Sequence, residues 1–319
     1  MAGSPGLERW IRSIVLSSAV AAGCRASRSE RDAGRGVTPA NVVTPRSRRE
    51  AQRPRGALRA ASGVVGYVAR RMKIATWNVN GIRKREPEVV AWIEKERPDV
   101  LCLQEIKAKP DQIPATLCEL ADYWCYWHGA GGYSGVALQV SKQRCPERPT
   151  FRHPEFDHET RVVEVSFDDL VIASVYVPNG GKDFAAKMRF LEAMVDYVAM
   201  QRASGRSLVL CGDMNVARSD LDVHPKERKP GVIGQRPDER ALFERILGHG
   251  MVDVARTLYP DDAEIFTWWA PWRNMRQRNI GWRIDYVLAS EGYATRAVSC
   301  PSFRETGTSD HAPLLATFS

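Results

Sequence analysis

From residue 72 onward, short apolar runs alternate with segments of helical period. "KIATWNV" (73–79) reads as a strand, and "EPEVVAWIEKER" (86–97) as a helix with Val89, Trp92 and Ile93 on one side and Val90 beside them. "DVLCLQE" reads as a buried strand, followed by strands in "YWCYWHGA" and "SGVALQV". "RVVEVSF" and "LVIASVYV" form a hairpin through Asp168-Asp169. A long helix is expected from about Phe184 to Arg202, with Leu191, Met194, Val195 and Val198 at helical spacing. "SLVLCGDMN" is another buried strand, a helix follows near 237–248, and "RIDYVLAS", "ATRAVSC" and "LLATF" finish the chain. Hairpins mixed with helices predict an α/β fold of the α+β kind: two packed mixed β-sheets flanked by helices, a four-layer sandwich.

Residues 1–71 show no such period and are rich in Arg, Ala, Ser, Gly and Pro. Three readings stand: a leader without function ahead of a natural start at Met72, an organellar transit peptide, or a secretory signal with Ile14–Gly23 as its apolar part. The first is preferred, which makes 72–319 the single catalytic domain. The leader carries fourteen Arg and four acids, so the net charge of +8 belongs to it and the remainder is slightly acidic. High pI is therefore no argument for nucleic-acid binding by the folded part. Seven cysteines without a C-x-x-C exclude a disulfide framework and a thiolate zinc site, and no apolar run is long enough to span a membrane.

Many strands stop in polar residues. "TWNVNG" ends in Asn78 and Asn80, "LCLQEIK" in Gln104, Glu105 and Lys107, and "VYVPNGGK" carries Tyr176, Asn179 and Lys182. "LVLCGDMN" ends in Asp213 and Asn215, "GWRIDYVLAS" places Asp285 among apolar neighbours, and "TSDHAPL" supplies Asp310 and His311. Each alone reads as a turn or a cap; together, at the mouths of six strands, they read as a ligand site. Glu105 and Asp310 are hard oxygen donors, which suits Mg²⁺ or Mn²⁺ better than Zn²⁺. With a His, a Tyr and amide donors, the set fits phosphoryl transfer to water.

"WNVNG", "LQEIK", "YSGVAL", "VYVPNG", "GDMN", "GWRIDYVLAS" and "SDHAP" stand in an order and spacing that resemble the exodeoxyribonuclease III family of AP endonucleases, within the endonuclease/exonuclease/phosphatase superfamily. The resemblance covers 72–319 and none of 1–71. It implies that Glu105 is the principal metal ligand, with Asn78 and Asp310 near the same ion and Asp213, Asn215 and His311 also facing it. Asp213 would act on the attacking water and Asn215 would hold that water or the phosphate. His311 would stabilise charge on the phosphate, with Asp285 fixing its far nitrogen, and Tyr176 and Asn179 would bind the phosphate. Asn80 ranks behind Asn78.

In "FTWWAPWRNMRQRNIGWRID" (266–285), Trp268, Trp282 and Ile284 fall where the family forms a pocket for a baseless deoxyribose, and Trp272 and Arg273 where relatives insert into DNA. Trp269 reads as core. Lys107, Lys182, Arg83, Arg273, Arg276 and Arg278 suggest a phosphate-binding rim, with a solvated charged face as the alternative for Arg276 and Arg278. Tyr133 and the basic loop 224–240 are further DNA-contact candidates. His153 and His158 fit no metal spacing and read as surface residues. The expected function is a Mg²⁺-dependent AP endonuclease acting on double-stranded DNA with abasic sites or 3′ ends, with 3′–5′ exonuclease and 3′-phosphatase activity. A monomer is expected, cytoplasmic and nucleoid-associated, or organellar if the leader is a transit peptide. The alternatives are another phosphodiesterase of the superfamily and a catalytically silent nucleic-acid binder.

Overall fold

The computed structural model describes residues 71–167 and 169–319; the leader readings for 1–70 lie outside the described residues. Among the described residues, twelve strands form two six-stranded sheets. The first has the order β11 (Ala297–Ser299), β12 (Leu314–Phe318), β1 (Met72–Asn78), β2 (Val100–Gln104), β4 (Val136–Ser141), β3 (Tyr123–His128). The second has the order β5 (Phe151–Arg152), β6 (Val162–Phe167), β7 (Leu170–Tyr176), β8 (Ser207–Asp213), β10 (Asp285–Ser290), β9 (Met251–Asp253). Both are mixed: β1–β2 and β7–β8 are parallel and the remaining pairs antiparallel.

The two sheets share one core, in which Ile74, Cys102 and Leu138 of the first join Ile172, Val209 and Val287 of the second. Helix α1 (Ile82–Glu96) covers the outer face of the first sheet through Val89, Trp92 and Ile93. Helices α3 (Phe184–Ala203) and α4 (Pro237–Gly248) cover the second through Leu191, Met194, Phe243 and their neighbours. Three short helices, α2 (Ala115–Cys118), α5 (Val254–Leu258) and α6 (Glu291–Ala294), lie in connections. The result is the expected four-layer sandwich. No helix among the described residues is long and apolar enough to cross a membrane.

Helix α1 begins earlier than the sequence pattern suggests. Gly81 and Ile82 donate their N–H groups to the carbonyls of Glu105 and Ile106, at 2.7 and 3.0 Å. Those long-range bonds set the first turn ahead of Pro87, which sits inside the helix. Strands β5 and β9, two and three residues long, are too short to show alternation in sequence.

Register carries the polar strand ends to one place. Parallel pairing sets Asn78 beside Gln104, so Glu105 follows directly next to it. In the second sheet Tyr176 pairs with Asp213, and Asp213 with Asp285, which aligns three candidate site residues across three strands. The approach of β8 to β7 depends on Gly212: a Cβ there would lie 1.8 Å from the Val175 carbonyl oxygen, and backbone cannot yield.

Candidate active site

The strand ends converge on a connected polar group. Asn78 Nδ2 donates to Glu105 Oε1 at 3.0 Å and to Asp213 Oδ2 at 2.9 Å, which joins the two sheets. Tyr176 donates its hydroxyl to Glu105 Oε1 at 2.8 Å, and Lys107 Nζ lies 2.6 Å from Glu105 Oε2. Asn215 donates its backbone N–H to Asp213 Oδ1 at 2.9 Å and its side-chain amide to the Val177 carbonyl at 2.8 Å. His311 Nδ1 is 2.9 Å from Asp285 Oδ2, and its Nε2 faces Asp213 Oδ2 at 3.9 Å. Thr267 Oγ1 accepts the N–H groups of Ile284 and Asp285, which fixes the start of β10.

Four residues here, Asn80, Glu105, Lys107 and Asn215, have φ between 45° and 51°. Left-handed backbone is costly for Glu and Lys and persists where surroundings impose it, commonly at functional sites. The imposing contacts are visible: Ile106 and Lys107 donate their N–H groups to Gly135 and Ser134 carbonyls at 3.1 and 3.0 Å.

Burial and charge act unequally on the titratable groups. Burial pushes Asp213 upward, and the nearby charges of Asp285 and Glu105 add to this against the pull of His311. For His311 burial alone would lower the value, but Asp285, Asp213 and Asp310 outweigh it and hold the imidazolium up to about 10. For Glu105 burial works upward, yet bonds from Asn78 and Lys107 and the charge of His311 bring it below its ordinary value. Asp285 Oδ1 is buried and has no hydrogen-bond partner. With Asp213 ionised, the group carries more negative charge than His311 and Lys107 offset. Donor atoms of Glu105, Asp213 and His311 lie within 4.8 Å of one another, close enough to hold a metal ion.

Asp310 stands one step away. Its Oδ1 accepts from Asn80 Nδ2 at 2.7 Å and its Oδ2 from Trp268 Nε1 at 3.1 Å. Asn80 Oδ1 in turn accepts from Lys107 Nζ at 2.6 Å. Asn80, read from sequence as a turn former of lower rank, is therefore the link between Lys107 and Asp310. Beside this link Trp268 and Trp282 meet edge to face, ring centres 5.5 Å apart, and Ile284 joins them with Ala217 and Val223. The structure thus brings together the three residues read as a pocket. Gly234 closes its side: a Cβ there would come to 3.0 Å of the Trp282 ring.

Tyr133, Asn179, Lys182, Trp272 and Arg273 are exposed, with Tyr133 at 55% and Trp272 at 59% exposure. Arg276 differs from both of its sequence readings. It donates to the carbonyls of Arg304 at 2.8 Å and Thr306 at 2.7 Å and to that of Ser309, and stacks over Trp269. A guanidinium engaged by three carbonyls is a brace for the loop entering Asp310-His311, neither a free phosphate contact nor a solvated charge. His153 is exposed, as its surface reading has it, and contacts Tyr126, His128 and Asp157.

Sequence reasoning missed Lys187 and Glu239. Both are fully buried and form an ion pair. Lys187 Nζ donates to the Asn215 carbonyl at 2.7 Å, while Glu239 accepts the Gly234 N–H at 2.8 Å and the Arg236 N–H at 3.2 Å. The pair therefore supports Asn215 and the pocket wall from behind. A signal was present: Lys187 interrupts the apolar stripe of α3, four residues before Leu191 and seven before Met194.

Comparison with known proteins gives concordant results. A model described as Endonuclease/Exonuclease/phosphatase family matches residues 75–311. The chain is 32% identical to the Exodeoxyribonuclease of Bacillus subtilis (strain 168) over 76% of its own length and 98% of the relative's. It is 34% identical to Recombination repair protein 1 of Drosophila melanogaster, matching with 77% of its own length and spanning only 37% of that longer protein. The solved structure of an AP endonuclease from Archaeoglobus fulgidus superposes with a TM-score of 0.70 at 31% identity, covering 78% of this chain and 99% of the other.

Proposed function

Because this chain belongs to the endonuclease/exonuclease/phosphatase family, among its exodeoxyribonucleases and AP endonucleases, we propose that it is a Mg²⁺-dependent DNA repair nuclease that cuts the phosphodiester 5′ to an abasic site. The observation that carries the reading is the joining of two features by Asp310: an anionic hydrolytic group on one side and the Trp268–Trp282–Ile284 pocket on the other. The cluster is apolar, which suits a deoxyribose without its base, and a baseless nucleotide leaves the stack at low cost.

The donor set fits a hard divalent cation. Glu105 and Asp213 offer oxygens, Asp285 retains an unpartnered buried oxygen, and thiols are absent from the group. Glu105 is the principal ligand in this reading, with Asn78, Asp213, Asn215 and Asp310 around it. When bound, Mg²⁺ supplies Lewis-acid stabilisation of the phosphate oxygens. His311 serves better as a charged donor to the phosphate than as a ligand, because an imidazolium held by Asp285 has no lone pair to give. Asp213 orients the attacking water and takes its proton, with Asn215 alongside, and Tyr176 donates toward the anionic centre. The products are a 3′-hydroxyl and a 5′-deoxyribose phosphate. The same chemistry serves 3′–5′ exonuclease and 3′-phosphatase activity. Tyr133, Asn179, Lys182, Trp272 and Arg273 are candidate contacts to double-stranded DNA from the exposed rim.

Incubating the full chain with a duplex carrying one abasic analogue tests this. A single cut 5′ to the lesion, present with Mg²⁺ and absent with EDTA, is expected. Retained binding without a cut would favour a silent nucleic-acid binder.

A further inference from the structure

Among the described residues, one other group brings three metal-binding side chains together: His128, His153 and Asp157, whose donor atoms lie within 4.8 Å of one another. His128 ends β3, the edge strand of the first sheet. His153 directly follows β5, the edge strand of the second, and Asp157 lies in the loop between β5 and β6. The group therefore bridges the open edges of both sheets.

Its geometry is organised around the carboxylate. Asp157 Oδ1 accepts the backbone N–H groups of Arg161 and Val162 at 2.7 and 2.9 Å, which fixes the group's orientation. Oδ2 is thereby aimed at His128 Nε2, at 2.6 Å, and at His153 Nδ1, at 3.9 Å. The imidazole rings lie 3.8 Å apart, 30° from parallel. His153 Nε2 is 2.8 Å from the Tyr126 hydroxyl, so a partner is already in place for that nitrogen when Nδ1 is engaged elsewhere. Ligating histidines characteristically have such a partner on the far nitrogen.

We propose that His128, His153 and Asp157 form a second metal site, selective for a borderline divalent cation of the Zn²⁺ class and distinct from the oxygen-rich catalytic group. Two imidazoles and one carboxylate suit Zn²⁺ and suit Mg²⁺ poorly. Ligand bonds of ~2.1 Å in a tetrahedral site place donors roughly 3.4 Å apart. The present separations of 2.6 and 3.9 Å bracket that value. Binding displaces the proton shared by His128 and Asp157. It also moves the His153 proton from Nδ1, now 3.0 Å from the Val162 carbonyl, to Nε2, where it is donated to Tyr126. Three protein ligands leave the fourth position to water. The site clips sheet edge to sheet edge and steadies the adjoining loop, where Ser134 donates to the Glu159 carbonyl at 2.5 Å and its own carbonyl holds Lys107. This inference stands whether or not the catalytic reading holds.

The test uses the full chain, stripped of metal, in a Glu105→Gln/Asp213→Asn background that disables the catalytic group. Zn²⁺ is titrated by calorimetry and thermal unfolding is followed with Zn²⁺ or Mg²⁺. One equivalent of Zn²⁺ should bind and raise the melting temperature, whereas Mg²⁺ at the same concentration should not. Adding His153→Ala or His128→Gln should weaken that site by roughly a hundredfold, while the metal-free melting temperature of the exposed His153→Ala change stays near its parent's. No Zn²⁺ binding in the background variant, or binding unchanged by either substitution, overturns the proposal.

Discussion

Arg283 and Asp285 stand two residues apart in the chain and belong to two buried charge groups of opposite character. Arg283 is fully buried and bonds Asp222 at 2.7 Å and Asp253 at 2.9 and 2.7 Å. Arg256 adds a bond to Asp222 at 2.7 Å and Arg218, itself paired with Glu244, lies 3.9 Å from Asp253, so each carboxylate is engaged by guanidiniums. Asp285 instead shares one imidazolium with Asp213 and keeps an unpartnered oxygen. The first group is balanced and holds the "GWRID" segment in place. The second is left short of positive charge and has something to gain from a cation. Burial is common to both; charge balance separates scaffold from site.

The largest expected separation is in activity against stability. Asp213→Asn should lower incision roughly 10²–10⁴-fold, the range for loss of a general base, while above pH 8, where Asp213 is charged, the metal-free protein unfolds no more readily than wild type, because a buried charge repelled by Asp285 is removed. Steady-state cleavage and urea unfolding measure the two sides. Arg283→Ala should do the reverse first: it strands two buried carboxylates and should cost about 3–5 kcal/mol of stability, read from the urea midpoint. A smaller effect is expected behind the site. The paired substitution Lys187→Met/Glu239→Gln removes both buried charges but also the bond to the Asn215 carbonyl. It should fold, and lose about tenfold in turnover through misplacement of Asn215.

The smallest separation is in pH dependence without metal. His311 is held up to about 10, so its contribution to stability is complete below its unfolded value of 6.5 and is lost as pH rises through 10. Burial alone would raise Asp222, but Arg283 and Arg256 outweigh it and lower it. Its contribution is present above 3.8 and is lost as pH falls through its depressed folded value. Unfolding free energies measured from pH 3 to 10 should show both limbs, with Asp222→Asn reducing the acid one and leaving the alkaline one in place.

These contrasts also explain what could be read from sequence. Polar residues at or directly after the ends of apolar strands were legible at Asn78, Glu105 and Asp213, because strand pairing alone sets their positions, and His311 was legible in the short turn before β12. The longer strands and the three longer helices were legible for the same reason, since sustained periodicity reports a buried face. Arg276 was not legible: its partners are carbonyls of residues 304–309, and no local pattern encodes a bond from one loop to the backbone of another. The His128–His153–Asp157 group was hidden likewise, because two sheet edges bring together residues 25 and 29 positions apart. Lys187 lay between these cases: its place in an apolar stripe was visible, its partner Glu239 was not.

One measurement bears most directly on the difference between the two buried groups: the melting temperature of metal-free protein with and without saturating Mg²⁺, for wild type, Glu105→Gln and Asp222→Asn. Ligand at 100 times its dissociation constant adds about 2.7 kcal/mol to the folded state, a rise of a few degrees for a domain of this size. Wild type should show that rise, Asp222→Asn should keep it from a lower starting point, and Glu105→Gln should lose it. An equal rise in all three, or none in wild type, would contradict the assignment of the Glu105–Asp213–Asp285–His311 group as the cation-seeking centre.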